Sequence, residues 1–330
     1  MSAPLDDLLS AYGQAVAPQK DHPPASFTVI VRTQGSRPDS LNEALDSIAE
    51  QTHQDFDVVI MVHGADDALA AARASIGDRL DGRRTIAAVA GGGRSAPLNA
   101  ALEHVSGTHF CFLDDDDLAM PDWLSSFAAA AAAQPGAIVR AVTGSQRWTT
   151  SDGQPTQAEG PVERPFPARF DLLAHMSLNL TPICSLAYPQ RVISELGLRF
   201  DDDLAVYEDW LFLMQAAMAV GVVSIPAQTS LYRRLDAGSA DSVETVATWE
   251  TAHATVIDRL SARPVLLPAG DARRLAGTHF VIEGRSRYEQ EALDARATID
   301  QLTRSPWRWL RAFAKRLGGA VRSRTSAPRP

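Results

Sequence analysis

The sequence has only two cysteines, no long apolar run and no acidic residue after Asp300. Because a transmembrane helix needs about 20 consecutive apolar residues, no segment is predicted to span a bilayer. Cys111 and Cys184 each lie in an apolar, strand-like run, so we expect two buried, reduced thiols; their number excludes a zinc site built from paired cysteines. Hydrophobic residues make up 45% of the chain and charged residues 22%, which indicates a folded globular protein rather than a disordered chain.

Charge is distributed unevenly along the chain. The whole chain carries −9, and the segment from Arg304 onward holds eight basic and no acidic residues, so residues 1–303 carry −17. A body this acidic repels the phosphates of nucleic acid, and we therefore expect no nucleic-acid partner. Residues 1–25 hold several charges and prolines but no apolar block, and we interpret them as a solvated lead-in.

Short apolar runs alternate with helical patterns through the first 140 residues. The runs predict strands at 27–32, 57–62, 85–89 and 108–113. The intervening patterns predict helices at 40–51 and 65–76, a glycine turn that opens into a helix within 91–105, and a helix from about 121. Strands that alternate with helices predict an α/β fold with a mostly parallel sheet. Ligands of such sheets bind where the carboxyl ends of the strands meet.

The pattern becomes less regular after Arg140. The segment 151–168 is polar and proline-rich, which predicts a loop or a flexible flap. The remaining patterns predict strands at 183–188, 222–225 and 229–234, helices at 189–197 and 207–221, and a series of helices from about 244 to 303.

Four consecutive aspartates, Asp114 to Asp117, directly follow the strand at 108–113. Adjacent like charges repel one another, so a chain that keeps them at the end of a buried strand needs a compensating charge. A divalent cation can supply it, because Mg²⁺ is commonly held by one or two carboxylates together with substrate phosphates. Alternate residues of an extended segment point the same way, so Asp114 and Asp116 could face one ion. The alternative is a solvated acidic turn in which Asp117 caps the next helix.

Three segments give the sequence a family resemblance: "ALDSIAEQT" in the first helix, "LNAALEHVSGTHFCFLDDDD", and the later "YEDW". In this order and spacing they resemble the family 2 glycosyltransferases of GT-A fold, over a region from Phe27 to Arg234. The resemblance implies a Rossmann-like fold for nucleotide-diphospho-sugar transfer, with a mostly parallel sheet flanked by helices. It also implies a nucleotide-diphosphate sugar as donor and inversion at the anomeric carbon.

The resemblance implies a donor site at the aspartate cluster. The DXD motif of the family falls on Asp114 and Asp116, which would bind a divalent cation, Mn²⁺ or Mg²⁺, that bridges the donor diphosphate. A metal and an arginine stabilise the negative charge that develops on the leaving nucleoside diphosphate. The further donor-binding residues that the resemblance implies are Thr33, Arg94, Asn99, Asp115, Arg233 and Arg234.

The resemblance also implies an acceptor side. The acidic pair of the family falls on Glu208 and Asp209, at the start of the predicted helix 207–221. Asp209 would be the base that deprotonates the acceptor hydroxyl as it attacks the anomeric carbon, and Glu208 would support it. Trp210 would wall the acceptor pocket. The alternative for Asp209 is an acid favoured at a helix N-terminus by the helix dipole.

The sequence departs from the family pattern where the nucleobase would bind. The family has "DDGS" after its second strand, whereas this sequence reads "VHGA", with Val62 and His63 in place of acids. Arg32 stands where a proline is more usual. We expect His63 and Arg32 to contact the base or a phosphate of the donor, and the identity of the base is not defined by the sequence.

The C-terminal segment is basic and aromatic. On a helix, Trp307, Leu310, Phe313, Ala314 and Leu317 share one face, and arginine and lysine residues flank it. This pattern is typical of a helix on an anionic membrane surface, and it fits equally a helix that packs on the body or on a second subunit. Peripheral membrane contact through 304–324 is one of these two interpretations.

The domain prediction has four parts: a lead-in at 1–25, a GT-A catalytic domain at 26–240, a helical C-terminal extension at 241–303 and a basic amphipathic tail at 304–330. Within the catalytic domain, the donor half covers about 26–140 and the acceptor half about 141–240. The predicted function is a cytoplasmic glycosyltransferase that acts on a carbohydrate or lipid-linked glycan acceptor in surface polysaccharide assembly, at the inner face of the cell membrane.

Two alternative functions stay open. The first is a metal-dependent nucleotidyl- or phosphotransferase, although "AGGGRSAPLN" lacks the lysine of a phosphate-binding loop. The second is a non-catalytic GT-A-like module that binds a glycan or nucleotide, which the missing acidic base motif suggests.

Overall fold

The computed structural model describes residues 23–151, 154–236 and 244–262, together with 265, 271–276 and 296. Residues 1–22, much of the predicted helical extension and the tail 304–330 lie outside the described residues, so what the sequence predicts for them stays a prediction. Within the described ranges, no helix has both the length and the apolarity needed to cross a bilayer.

The first half of the chain alternates strands with helices, as predicted. Pro38, in the first turn of the first helix, and Gly77, with a φ of 61° after the second, are local signals that mark helix ends. The elements are β1 (Phe27–Thr33), α1 (Pro38–Ala49), β2 (Phe56–His63), α2 (Asp66–Ile76), β3 (Arg84–Val89), α3 (Ser95–Leu102) and β4 (His109–Asp114).

The described part of the second half contains long strands and five helices. Its elements are β5 (Leu118–Ala119), α4 (Trp123–Ala133), β6 (Ile138–Ser151), β7 (Gln154–Glu163), α5 (Leu172–His175), a 3₁₀ turn (Ile183–Ser185), β8 (Leu186–Pro189), α6 (Arg191–Ser194), α7 (Glu208–Val220), β9 (Val222–Leu235) and α8 (Val246–Ser261). Leu211 and Met214 of α7 pack in one cluster with Val256 and Leu260 of α8.

The nine strands within the described ranges form one sheet in the order β3-β2-β1-β4-β8-β6-β9-β5, and β7 pairs with β6. The pairs β1–β2, β1–β4, β2–β3 and β6–β9 are parallel, whereas β4–β8, β6–β8, β6–β7 and β5–β9 are antiparallel. The sheet is therefore mixed, with its parallel half in the first 114 residues, as the sequence predicts.

Two sequence predictions for the second half are wrong. Residues 154–163 of the predicted loop 151–168 form β7, which pairs antiparallel with an extended β6, and this pairing satisfies the backbone of a polar, exposed hairpin; residues 164–168 are irregular, as predicted. The two short strands at 222–225 and 229–234 are one strand, β9. Pro226 suggests a break between them, but it lies where the β6–β9 register shifts, which is where a sheet tolerates proline.

Alternate residues of β1 pack on opposite faces of the sheet. Val29 and Val31 belong to the same apolar cluster as Leu45 of α1, whereas Ile30 belongs to the cluster that contains Leu98 of α3. Both faces of β1 are buried, which explains its continuous apolar sequence. The carboxyl end of β1 is thereby held on a rigid framework beside the ends of β2 and β4.

Candidate active site

The carboxyl ends of three parallel strands bring polar side chains together at one edge of the sheet. Arg32 of β1 lies in register with Asp114 of β4, and His63 is the last residue of β2. Parallel strands end at the same edge, so the sequence could place these residues close together. Their hydrogen-bond and ion-pair partners come in part from distant segments of the chain.

Arg32 joins the aspartate cluster to the start of α7. Its guanidinium donates to both carboxylate oxygens of Asp114, at 3.1 and 2.9 Å, and to Oε1 of Glu208 at 3.0 Å. The same Glu208 oxygen accepts a hydrogen bond from Nε of Arg94 at 3.1 Å. Burial lowers the pKa of Arg32, but the charges of Asp114 and Glu208 outweigh it and raise that pKa above its usual value, so Arg32 stays charged.

Arg37 bridges the next two aspartates. It donates to Asp115 at 2.6 Å and to Asp116 at 2.7 Å, and the hydroxyl of Thr33 donates to the other oxygen of Asp115 at 2.5 Å. Burial, with the charge of Asp116, raises the pKa of Asp115 to about 7 in spite of these contacts. Burial also raises the pKa of Asp116.

Arg233 fastens the aspartate loop to β9 and α1. Its backbone N–H donates to Asp117 at 3.0 Å, its guanidinium donates to Ser40 Oγ at 3.0 Å and pairs with Glu43, and it lies 5.3 Å from the ring centre of Trp148. Burial raises the pKa of Asp117 well above its usual range. These contacts indicate that Arg233 and Asp117 hold the aspartate loop against β9 and α1.

Two adjoining cavities open at this edge of the sheet. The small cavity, of about 130 Å³, is lined by the predicted donor residues Arg32, Thr33, His63, Arg94, Asp114, Asp115, Asp116 and Arg233, together with Arg37. The large cavity, of about 390 Å³, is lined among others by Asn179, Glu208, Asp209 and Arg234. Arg32, Arg94, Asp114 and Tyr232 line both, so the two cavities meet at the Arg32–Asp114 pair.

Asp209 presents a carboxylate to the large cavity from the first turn of α7. It accepts hydrogen bonds from the backbone N–H of Trp210 at 2.7 Å and from Nδ2 of Asn179 at 3.3 and 3.4 Å. Burial, followed by the neighbouring charge of Glu208, raises the pKa of Asp209 to about 6. A carboxylate with this pKa is ionised at neutral pH and is a stronger proton acceptor than an ordinary aspartate.

Two predicted site residues lie elsewhere. Trp210 does not wall the cavity: its side chain is completely buried and its indole N–H donates to the backbone oxygen of His175 at 2.7 Å. Asn99 does not reach either cavity, because it exchanges hydrogen bonds with both backbone groups of Phe200, at 2.8 and 3.0 Å, and contacts Asp202. Its role is to fix the segment around residue 200 to α3.

The carboxylates suit the divalent cation that the resemblance implies. Among the described residues, no group of three or more His, Cys, Asp or Glu side chains is arranged to hold a metal ion. Two carboxylates and substrate phosphates are a sufficient ligand set for Mg²⁺, and Asp114 and Asp116 line the same cavity.

Sequence reasoning missed Arg37 and Asn179. Arg37 stands in the turn "GSRPDS", one residue before α1. A basic residue in a turn at the carboxyl end of β1 was the local signal that it lies near the aspartates. Asn179 lies in an irregular stretch 30 residues before Asp209, and no sequence pattern links the two.

Comparison with known proteins agrees with this geometry. The family model described as glycosyl transferase family 2 matches residues 28–186. No curated protein matches the chain. Among solved structures, the chain is similar to S. aureus TarS 1–349 in complex with UDP-GlcNAc (20% identity, TM-score 0.54, covering 70% of this chain and 66% of that one).

Two further structures match over different lengths. One is S. aureus TarS 1–349 without a named ligand (21% identity, TM-score 0.49, covering 63% of this chain and 60% of that one). The other is the mannosyltransferase PcManGT from Pyrobaculum calidifontis in complex with GDP-Man and Mn²⁺ (18% identity, TM-score 0.48, covering 83% of this chain and 87% of that one). Residues 28–186 thus match glycosyl transferase family 2, and the sheet flanked by helices has the GT-A fold.

Proposed function

We propose that the protein is an inverting glycosyltransferase that moves a sugar from a nucleotide diphosphate donor to a carbohydrate or glycolipid acceptor. The observation that carries the proposal is the position of Asp209. Its carboxylate, with a pKa raised to about 6, lines a cavity that meets the aspartate- and arginine-lined cavity at Arg32 and Asp114. A proton acceptor beside a site for a charged leaving group is what glycosyl transfer requires.

The donor diphosphate would occupy the small cavity. Arg94, whose side chain is 38% exposed, and His63 at the end of β2 line this cavity and would bind the phosphates or the base of the donor. Asp114 and Asp116 would hold the divalent cation, which when bound supplies positive charge to the departing diphosphate. Arg32 keeps Asp114 oriented through two hydrogen bonds.

The acceptor hydroxyl would lie in the large cavity beside Asp209. The carboxylate removes the hydroxyl proton while the oxygen attacks the anomeric carbon from the side opposite the leaving diphosphate, and this geometry inverts the anomeric configuration. The N–H groups of Trp210 and Asn179 hold the carboxylate in place. Glu208, fixed by Arg32 and Arg94, supports the same helix start.

The test is release of nucleoside diphosphate from a panel of UDP-, GDP- and dTDP-sugars with Mn²⁺ or Mg²⁺. The wild type is compared with Asp116→Ala and Asp209→Asn. We expect metal-dependent release from one donor, lost in both variants. Tight nucleotide binding without release in any acceptor mixture would instead support a non-catalytic module, and absence of nucleotide binding would refute the proposal.

We further propose that the transfer serves surface polysaccharide assembly at the cytoplasmic face of the membrane. The support is the basic, aromatic pattern of 304–324 in the sequence. Sedimentation with vesicles that contain about 30% anionic lipid tests it, with the chain truncated after residue 303 as control. Equal sedimentation of both forms would contradict membrane contact through the tail.

A further inference from the structure

The large cavity has an aromatic side next to Asp209. Tyr207, Trp249, Phe166 and Tyr232 line it, each partly exposed. Trp249 belongs to α8, outside the residues 28–186 that the family model matches. The family match therefore assigns this residue no role.

The ring of Tyr207 is held in a fixed position. It packs edge-to-face against Trp210, with ring centres 5.2 Å apart, and against Trp249 at 4.9 Å. Its backbone has φ 66° and ψ 15°, and among the described residues only Leu80 is another non-glycine residue with positive φ. A left-handed conformation at a bulky residue is maintained by its surroundings and is found preferentially at functional sites.

This backbone turn places an aromatic ring two residues before Asp209. In an edge-to-face pair the two ring planes are nearly perpendicular, 71° for Tyr207 and Trp249, so one of the two rings can lie flat against a sugar. One side of a pyranose ring is made of C–H groups, which carry partial positive charge and suit the negative face of an aromatic ring. The cavity thus combines an aromatic surface with a proton acceptor, the two features needed to bind a sugar and deprotonate one of its hydroxyls.

We propose that Trp249, held edge-to-face by Tyr207, is the platform on which a pyranose ring of the acceptor stacks. This inference rests on the proposed function. A nucleobase would also stack on aromatic rings, but the arginine-lined end of the joined cavities is the end suited to a diphosphate.

The test is saturation-transfer NMR on the full chain, with methyl glycosides of glucose, galactose, mannose and N-acetylglucosamine as probes. Trp249→Ala is compared with Trp249→Phe, which keeps a ring, and with Thr251→Ala, an exposed position on the same helix. Calorimetric titration with UDP and GDP, and the melting temperature of each variant, report on the donor site and on folding.

We expect at least one pyranoside to bind the wild type, with about tenfold weaker binding in Trp249→Ala. Trp249→Phe and Thr251→Ala should bind it within about threefold of the wild type, and nucleotide affinity should not change in any variant. The proposal is wrong if no probe binds the wild type, if Trp249→Ala binds as tightly, or if Trp249→Ala loses nucleotide instead. Diphosphate release by the wild type is measured separately. If the wild type releases diphosphate but Trp249→Ala binds the pyranoside as tightly as the wild type does, the platform alone is refuted. If Trp249→Ala binds the pyranoside more weakly but the wild type releases no diphosphate, the transferase alone is refuted.

Discussion

Replacing Arg37 by glutamine removes the guanidinium that contacts Asp115 at 2.6 Å and Asp116 at 2.7 Å. The side chain of Asp115 is only 2% exposed, so the variant leaves a buried carboxylate without its charged partner. Removal of one member of a buried ion pair costs about 3–5 kcal/mol, and we expect about 3 kcal/mol at pH 8, because Arg37 is itself 19% exposed. In a domain of about 200 residues this lowers the melting temperature by about 6–12 °C.

The effect should depend on pH with a defined sign. Arg37 lowers the pKa of Asp115, so its removal raises that pKa further above about 7. Below about pH 7 both folded forms hold the Asp115 proton, whereas above it the wild type releases the proton and the variant keeps it. The loss of stability in the variant relative to the wild type therefore grows as pH rises above about 7 and is smallest below it. The difference in melting temperature between wild type and Arg37→Gln should therefore be smaller at pH 5 than at pH 8.

Thermal and urea unfolding at both pH values measure this. Arg79→Gln is the matched control, because Arg79 and Asp46 form an exposed ion pair, with side chains 35% and 56% exposed, which should contribute less than about 1 kcal/mol. Addition of Asp115→Asn to Arg37→Gln should recover part of the loss. Destabilisation no greater than in Arg79→Gln, or a loss that is the same at pH 5 and pH 8, would refute the reasoning.

Three further substitutions test the site. Asp209→Asn should lower turnover about 10²–10⁴-fold with unchanged nucleotide affinity. The wild-type rate should fall as pH drops below about 6, because Asp209 then takes up a proton. A pH–rate profile in which the rate does not fall at acidic pH would contradict this. Asn179→Ala removes a donor to the Asp209 carboxylate, so the acid limb of kcat/KM should move to higher pH, whereas an unmoved limb would show that the hydrogen bond does not tune the base. Asn99→Ala should lower the free energy of unfolding by about 1–2 kcal/mol, because it removes the hydrogen bonds to both backbone groups of Phe200, and it should leave nucleotide affinity unchanged. Weaker nucleotide binding at unchanged stability would instead indicate that Asn99 binds the donor.

The sequence by itself determined the elements whose signals are local. The apolar, β-branched run predicted at 27–32 is found as β1 at Phe27–Thr33. The four aspartates lie at the carboxyl end of a buried strand, with Asp114 as the last residue of β4. The acidic start of the predicted helix 207–221 is the first turn of α7, with Asp209 in the cavity. Periodicity and strand-end position carry this information because neighbouring residues in the chain are also neighbours within a helix or strand.

The tertiary structure alone decided which partners these residues have. Arg37 meets Asp115 across 78 positions of sequence and Arg32 meets Glu208 across 176, so no local pattern indicates either contact. Trp210 is a residue for which a local pattern gave a wrong prediction. Its position beside the acidic pair predicted that it lines the cavity. Packing against α8 buries it instead, and Tyr207 and Trp249 line the cavity. Pairing between distant segments depends on how helices and strands pack in three dimensions, and that packing is a property of the whole fold rather than of any one segment.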